Sequence, residues 1–138
     1  MKPDPRTAIG SIRIIGGHWR GTRLSVPARP GLRPSGDRVR ETLFNWLQPV
    51  LPGMRVLDLF AGTGALGLEA VSRGASHAVL VERDPALANA LKQTVTRLSA
   101  SAEVEVVQGD ALAWLPRQAD HAFHLAFVDP PFAQDLWQ

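Results

Sequence analysis

Arg55-Val-Leu-Asp-Leu-Phe-Ala-Gly-Thr-Gly-Ala-Leu-Gly67 decides the fold of this 138-residue chain. A short apolar run passes through glycines into a helix-forming segment, which predicts a strand, a tight turn and a helix N-terminus. Gly62, Gly64 and Gly67 satisfy G-x-G-x-x-G, where absent side chains let the chain turn sharply and let a ligand approach the backbone. Two kinds of cofactor use such a loop. A nicotinamide dinucleotide wants an acidic residue about 20 positions later for its ribose, and Glu82 meets that need for either kind. Asp58 separates them, because a carboxylate just before the loop would repel a pyrophosphate at the helix N-terminus. S-adenosylmethionine carries no phosphate but a sulfonium, an ammonium group and a ribose, which acidic strand ends suit. On this reading Phe60, Ala61, Gly62, Thr63 and Gly64 lie against the cofactor. Asp58 holds the loop and faces the methionine end, Glu82 accepts both ribose hydroxyls, and Asp110 reads the adenine amino group. Each carboxylate also has a plainer reading, as a turn brace, a solvated strand end and a helix N-cap respectively.

The surrounding chain alternates. Residues 54–60, 78–82, 104–108 and 125–128 read as strands, and 66–73, 85–98 and 111–115 as helices, with Asp84-Pro85 a well-formed helix start. Strand and helix in alternation predict an α/β fold with a largely parallel, Rossmann-like sheet. Ligands of such sheets sit at the carboxyl ends of the strands, where Asp58, Glu82, Asp110 and Asp129 all fall. Asp129 opens Asp129-Pro130-Pro131-Phe132. Two prolines hold the Asp129 carboxylate and the Pro130 carbonyl in fixed directions, a pair of acceptors for the two hydrogens of a nucleobase amino group, with Phe132 as a stacking surface. The tetrapeptide alone reads as a surface turn; following the glycine loop, it points to methylation of a base amine.

Charge is divided along the chain. Residues 1–40 carry nine basic and two acidic side chains, and residues 41–138 six basic and eleven acidic. Thirteen of the fifteen basic residues are Arg, whose planar fork suits phosphate and stacks on bases. The segment reads as an RNA-gripping arm. Within it, residues 1–10 read as a disordered basic tail. Residues 11–34 read as an RNA-binding hairpin and linker, and 35–138 as the catalytic domain. The hairpin would pair residues 11–15 with 22–26 and present Trp19, Arg20 and Arg23 at its tip, although Trp19 reads equally well as a pin to the main domain. Residues 37–47 read as a helix with an apolar stripe of Val39, Leu43, Trp46 and Leu47.

Four stretches together carry a resemblance. They are Arg13-Ile-Ile-Gly-Gly-His-Trp-Arg-Gly, Gly31-Leu-Arg-Pro-Ser-Gly-Asp-Arg-Val-Arg-Glu-Thr-Leu-Phe-Asn-Trp-Leu, the glycine loop through Glu69, and Val128-Asp-Pro-Pro-Phe. From Arg13 to Phe132 the chain resembles the bacterial 16S rRNA guanine-N2 methyltransferases of the guanine-966 type. The resemblance implies an S-adenosylmethionine-dependent enzyme acting on one guanine of 16S rRNA within the small ribosomal subunit. It also implies Arg38 or Glu41 near the methionine end of the cofactor. Arg13, Trp19, Arg20, Arg23 and Arg33 are the candidate RNA contacts, and Asp129, Pro130, Pro131 and Phe132 the catalytic set. Methyltransferases of this class continue through about three more strands, so the chain reads as shortened at its C-terminal side. Adenine-N6 methylation, a noncatalytic RNA-binding factor and a nicotinamide oxidoreductase are the competing readings. Cysteine is absent and the His residues have no ligand spacing, so no metal site is expected. With no long apolar segment or signal peptide, a cytoplasmic protein without a membrane partner is expected; oligomeric state is open.

Overall fold

A computed structural model describes residues 11–25, 36–118 and 122–129. Arg33, Pro130, Pro131 and Phe132 lie outside the described residues, as do the tail and the linker.

The N-terminal hairpin consists of β1 (Ser11–Arg13) and β2 (Arg23–Ser25), antiparallel, with Ile12 opposite Leu24 and Arg13 opposite Arg23. Side chains alternate across a strand, so Ile12 and Leu24 are buried while both arginines are exposed. Next come α1 (Asp37–Leu47), β3 (Arg55–Asp58), α2 (Ala65–Ser72), β4 (His77–Glu82), α3 (Pro85–Arg97), β5 (Val104–Gln108), α4 (Ala111–Trp114) and β6 (Leu125–Phe127). β3 to β6 form a parallel sheet in the order β5-β4-β3-β6. The expected alternation therefore holds, with element ends shifted by a residue or two.

The core has two parts. Val56, Ala78, Leu80 and Val104 face a large cluster that includes Phe44 of α1, Leu68 of α2, and Leu91 and Val95 of α3; Leu57, Val79 and Val81 face a smaller one with Ala111 of α4. Ile12, Ile14 and Leu24 belong to the larger cluster. The hairpin is a sheet of its own but shares the domain's core.

The stripe expected on α1 differs from the buried face observed. Val39 and Trp46 are 66% and 82% exposed, whereas Arg40 and Phe44 are fully buried. Phe44 packs on Phe127 with ring centroids 5.8 Å apart, and the Arg73 guanidinium lies 5.5 Å from its centroid. Arg40 enters the interior because partners wait there. It donates to the Arg13 carbonyl at 2.9 Å, to Asp37 at 2.6 Å and to Glu69 at 3.4 Å.

Glu69, also fully buried, anchors the hairpin turn. Its carboxylate accepts from the Ile15 and Gly16 backbone N–H groups at 2.8 and 2.9 Å and from Arg73 Nε at 2.7 Å. Ser72 continues the seam, its Oγ accepting from the Trp19 N–H at 2.9 Å and donating to the Gly16 carbonyl at 2.6 Å. Its carbonyl accepts from the His18 N–H at 2.7 Å. Gly17 makes this approach feasible: with φ at +81°, a Cβ there would lie 1.9 Å from the Ser72 carbonyl oxygen.

Candidate active site

The glycine loop is braced by carboxylates from two neighbouring strands. Asp58 ends β3, and its Oδ2 accepts from the Gly67 N–H at 3.2 Å. Glu82 ends β4; its Oε1 accepts from the Gly62 N–H at 2.8 Å and its Oε2 from the Asp84 N–H at 2.8 Å. The Gly64 N–H is spent on the Ala61 carbonyl at 2.7 Å and the Ala65 N–H on Thr63 Oγ1 at 3.3 Å. Gly67 lets α2 lie close on the sheet, since a Cβ there would meet Leu80 Cδ2 at 2.2 Å. Phe60 is half-buried below the loop in the smaller core cluster.

The brace that sequence reasoning gave to Asp58 is thus shared with Glu82. Both Glu82 oxygens already accept one backbone N–H, and each retains a lone pair for a ribose hydroxyl. Asp110 caps α4 through the Leu112 N–H at 3.1 Å, so its N-cap reading is realised. The Gly109 N–H donates to the Glu82 carbonyl at 2.9 Å and holds the end of β5 beside that of β4.

Asp129 follows β6, which pairs with β3 so that Phe127 lies opposite Asp58. The Leu59 N–H donates to the Phe127 carbonyl at 3.1 Å and prolongs this pairing to the strand ends. Asp129 is exposed, while Asp58 is buried and senses the charges of both Glu82 and Asp129. The Asp58 carboxyl is pushed up to about 7, first by burial and then by those two neighbours, against the lowering effect of the Gly67 hydrogen bond. Asp129 and the glycine loop therefore occupy the same edge of the sheet. Arg38 and Glu41 are exposed on α1, away from the inward face that Arg40 and Phe44 occupy.

The candidate RNA contacts divide differently from the expectation. Trp19 is partly buried against the core, the pin rather than the free tip, whereas Arg13, Arg20 and Arg23 are exposed. The turn they flank docks on the C-terminal half of α2, about 12 Å along the helix from the glycine loop at ~1.5 Å per residue. Sequence reasoning missed Arg40, Glu69, Ser72 and Arg73. The available signal was Glu69, a lone charge in the otherwise apolar run Ala65-Leu-Gly-Leu-Glu-Ala-Val71. Among the described residues no group of three or more His, Asp or Glu side chains could hold a metal ion.

Asp58 makes a pH prediction. Its carboxyl titrates near 7 in the fold and near 3.8 as an unperturbed group. Because the folded value is the higher one, its contribution to stability is fully present below the unfolded value and is lost as pH rises through about 7. Asp58→Asn should remove this dependence, on the order of a few kcal/mol between the two limits. Urea denaturation of both proteins across this range checks it; parallel pH profiles would contradict it.

A parallel sheet with a glycine loop after β3, and carboxylates at the ends of successive strands, defines a Rossmann-like methyltransferase fold. The C-terminal domain of precorrin-6Y C5,15-methyltransferase from Rhodobacter capsulatus has this fold; it superposes with a TM-score of 0.63 at 20% identity, covering 76% of this chain and 55% of that one. The chain belongs to the family described as Conserved hypothetical protein 95, whose model matches residues 12–138. It is 49% identical over 136 residues to Ribosomal RNA small subunit methyltransferase D of Escherichia coli (strain K12), covering 99% of this chain and 68% of the relative. The solved Escherichia coli protein yhhF superposes with a TM-score of 0.81 at 49% identity, over 92% of this chain and 68% of that one.

Proposed function

We propose that this chain transfers a methyl group from S-adenosylmethionine to the exocyclic N2 of a guanine of the guanine-966 type in 16S rRNA of the small ribosomal subunit. The observation that carries the cofactor reading is how the loop donors are used. Asp58 and Glu82 take the Gly67 and Gly62 N–H groups, so a pyrophosphate at this helix would meet two carboxylates in place of free donors. A cation meets the opposite situation. Glu82 already acts unfavourably on a buried Asp58, and a positive charge beside these two relieves that repulsion. The donor set therefore fits a sulfonium and an ammonium group better than a dinucleotide. The RNA substrate rests on the kinship with small-subunit methyltransferase D and on the arginine-rich N-terminal segment. Action on ribosomal RNA supports the reading of a cytoplasmic protein.

S-adenosylmethionine, when bound, supplies an electrophilic methyl group. The chain supplies the rest. Glu82 accepts from the ribose hydroxyls, Asp110 from the adenine amino group, and Asp58 keeps the loop in register with α2. Arg38 or Glu41, as the resemblance implies, stands near the methionine end. Guanine N2 is a weak nucleophile because its lone pair is delocalised into the ring. Asp129 and the Pro130 carbonyl, by accepting both amino hydrogens, return density to the nitrogen and hold it for in-line attack, with Phe132 stacked on the base. The Asp129 carboxylate stabilises the positive charge that develops on nitrogen and passes the released proton to solvent.

The test is incubation of the purified chain with methyl-labelled S-adenosylmethionine and small ribosomal subunits lacking the modification. Label in guanine N2 is expected. Label in adenine N6 would replace the guanine reading, and RNA binding without any transfer would favour a noncatalytic factor.

A further inference from the structure

We propose that the RNA backbone is gripped by the outer face of the hairpin together with the C-terminal half of α3, a phosphate-binding surface formed by Arg13, Arg23, Lys92 and Arg97. This rests on the methyltransferase reading above and adds α3, which neither the sequence nor the kinship assigned to RNA. The hairpin register sets Arg13 directly opposite Arg23, and both are exposed while their neighbours Ile12 and Leu24 are buried. Like charges directly opposite on an antiparallel pair oppose strand pairing. Among the described residues no carboxylate forms an ion pair with either, since the salt bridges there join Arg40 and Arg73 to Asp37 and Glu69. A cross-strand arginine pair with no counter-ion among the described residues is suited to an anion from outside.

Helix α3 brings further cationic groups to the same place. Arg97 donates from a terminal guanidinium nitrogen to the Arg23 carbonyl at 2.9 Å, which fixes its position beside β2 and leaves its other N–H groups for a ligand. Arg97 then continues into a shallow groove of about 370 Å³ shared with Lys92, Gln93 and Thr96. The four cations, all exposed, match the repeated negative charge of a ribose-phosphate chain, and the groove on α3, whose wall is mainly the apolar parts of these side chains, leaves room for the sugar. The seam between the hairpin turn and α2 takes up the backbone N–H groups of Ile15, Gly16, His18 and Trp19, so the grip is assigned to the outer face.

The experiment pairs two variants with the wild type. Lys92→Glu with Gln93→Glu places negative charge in the groove and leaves the Arg97 to Arg23 hydrogen bond intact. Binding of in vitro transcribed 16S rRNA should weaken about tenfold or more, with a shallower dependence on salt, while S-adenosylhomocysteine affinity is unchanged. Arg13→Gln with Arg23→Gln should likewise weaken RNA binding, yet leave the melting temperature unchanged or raised, because a repulsive pair is removed. A fall in melting temperature with RNA affinity retained would make the pair structural and overturn the proposal. Unaltered RNA affinity and salt slope in the groove variant, with wild-type methylation intact, would overturn it and leave the methyltransferase reading standing. A wild-type chain that neither binds nor methylates RNA would remove both.

Discussion

Asp129→Ala is expected to lower the rate of methyl transfer about a thousandfold, the range seen when a preorganised group opposite developing charge is removed, with S-adenosylhomocysteine affinity unchanged. Asp129 is exposed at the end of β6, so truncating it exposes no core, and the loop braces belong to Asp58 and Glu82. The loss therefore falls on the chemical step. Asp129→Asn, which keeps one acceptor but not the charge, should lie between the two. Single-turnover transfer and calorimetry on the same preparations separate the steps. Wild-type turnover in Asp129→Ala would remove the residue from the reaction, and lost cofactor binding would reassign it to the cofactor pocket. A second signature follows from electrostatics: Asp129 helps push the Asp58 carboxyl upward, so its removal should lower that titration.

Glu69→Ala is the substitution expected to cost most stability. It strands the Ile15 and Gly16 N–H groups and Arg73, and leaves Arg40 only Asp37 and the Arg13 carbonyl. Removing one partner of a buried ionic group costs about 3–5 kcal/mol, since the charge it leaves, here on Arg73, stays desolvated without its carboxylate. For a domain of this size that lowers the melting temperature by about 10 °C or more. Hairpin amides, the Ile15 and Gly16 N–H groups above all, should lose protection from hydrogen exchange before those of β3 and β4, because Glu69 ties the turn to the domain. Scanning calorimetry and exchange measurements check this. A melting temperature within about 2 °C of wild type would show that the network contributes little.

Much of the fold was legible because its signals are local. The apolar runs, the glycines from Gly62 to Gly67 and the Asp84-Pro85 start each specify an element from neighbouring residues alone, and the acidic strand ends follow from the parallel topology. The face of α1 was not legible. Binary patterning assigns Arg40 to solvent and Val39 and Trp46 to the core, whereas Arg40 is held inside by Asp37 together with the Arg13 carbonyl and the Glu69 carboxylate, 27 and 29 residues away. No periodicity encodes partners at those distances. The hairpin was legible as strands but not as a docked element, since Gly17 and Ser72, on which the docking depends, look unremarkable in a turn and at a helix end. At the candidate site, the placement of Asp58 and Glu82 at strand ends was legible, but their hydrogen-bond partners were not. The corner Pro130-Pro131-Phe132 was read from sequence alone and lies outside the described residues.

Isothermal titration of the wild-type protein with S-adenosylmethionine and, separately, with NADH tests most directly whether the carboxylates at the ends of β3 and β4 make a site for a cation and exclude a pyrophosphate. Saturable binding of S-adenosylmethionine with no response to NADH is expected. Binding of NADH with none of S-adenosylmethionine would contradict it.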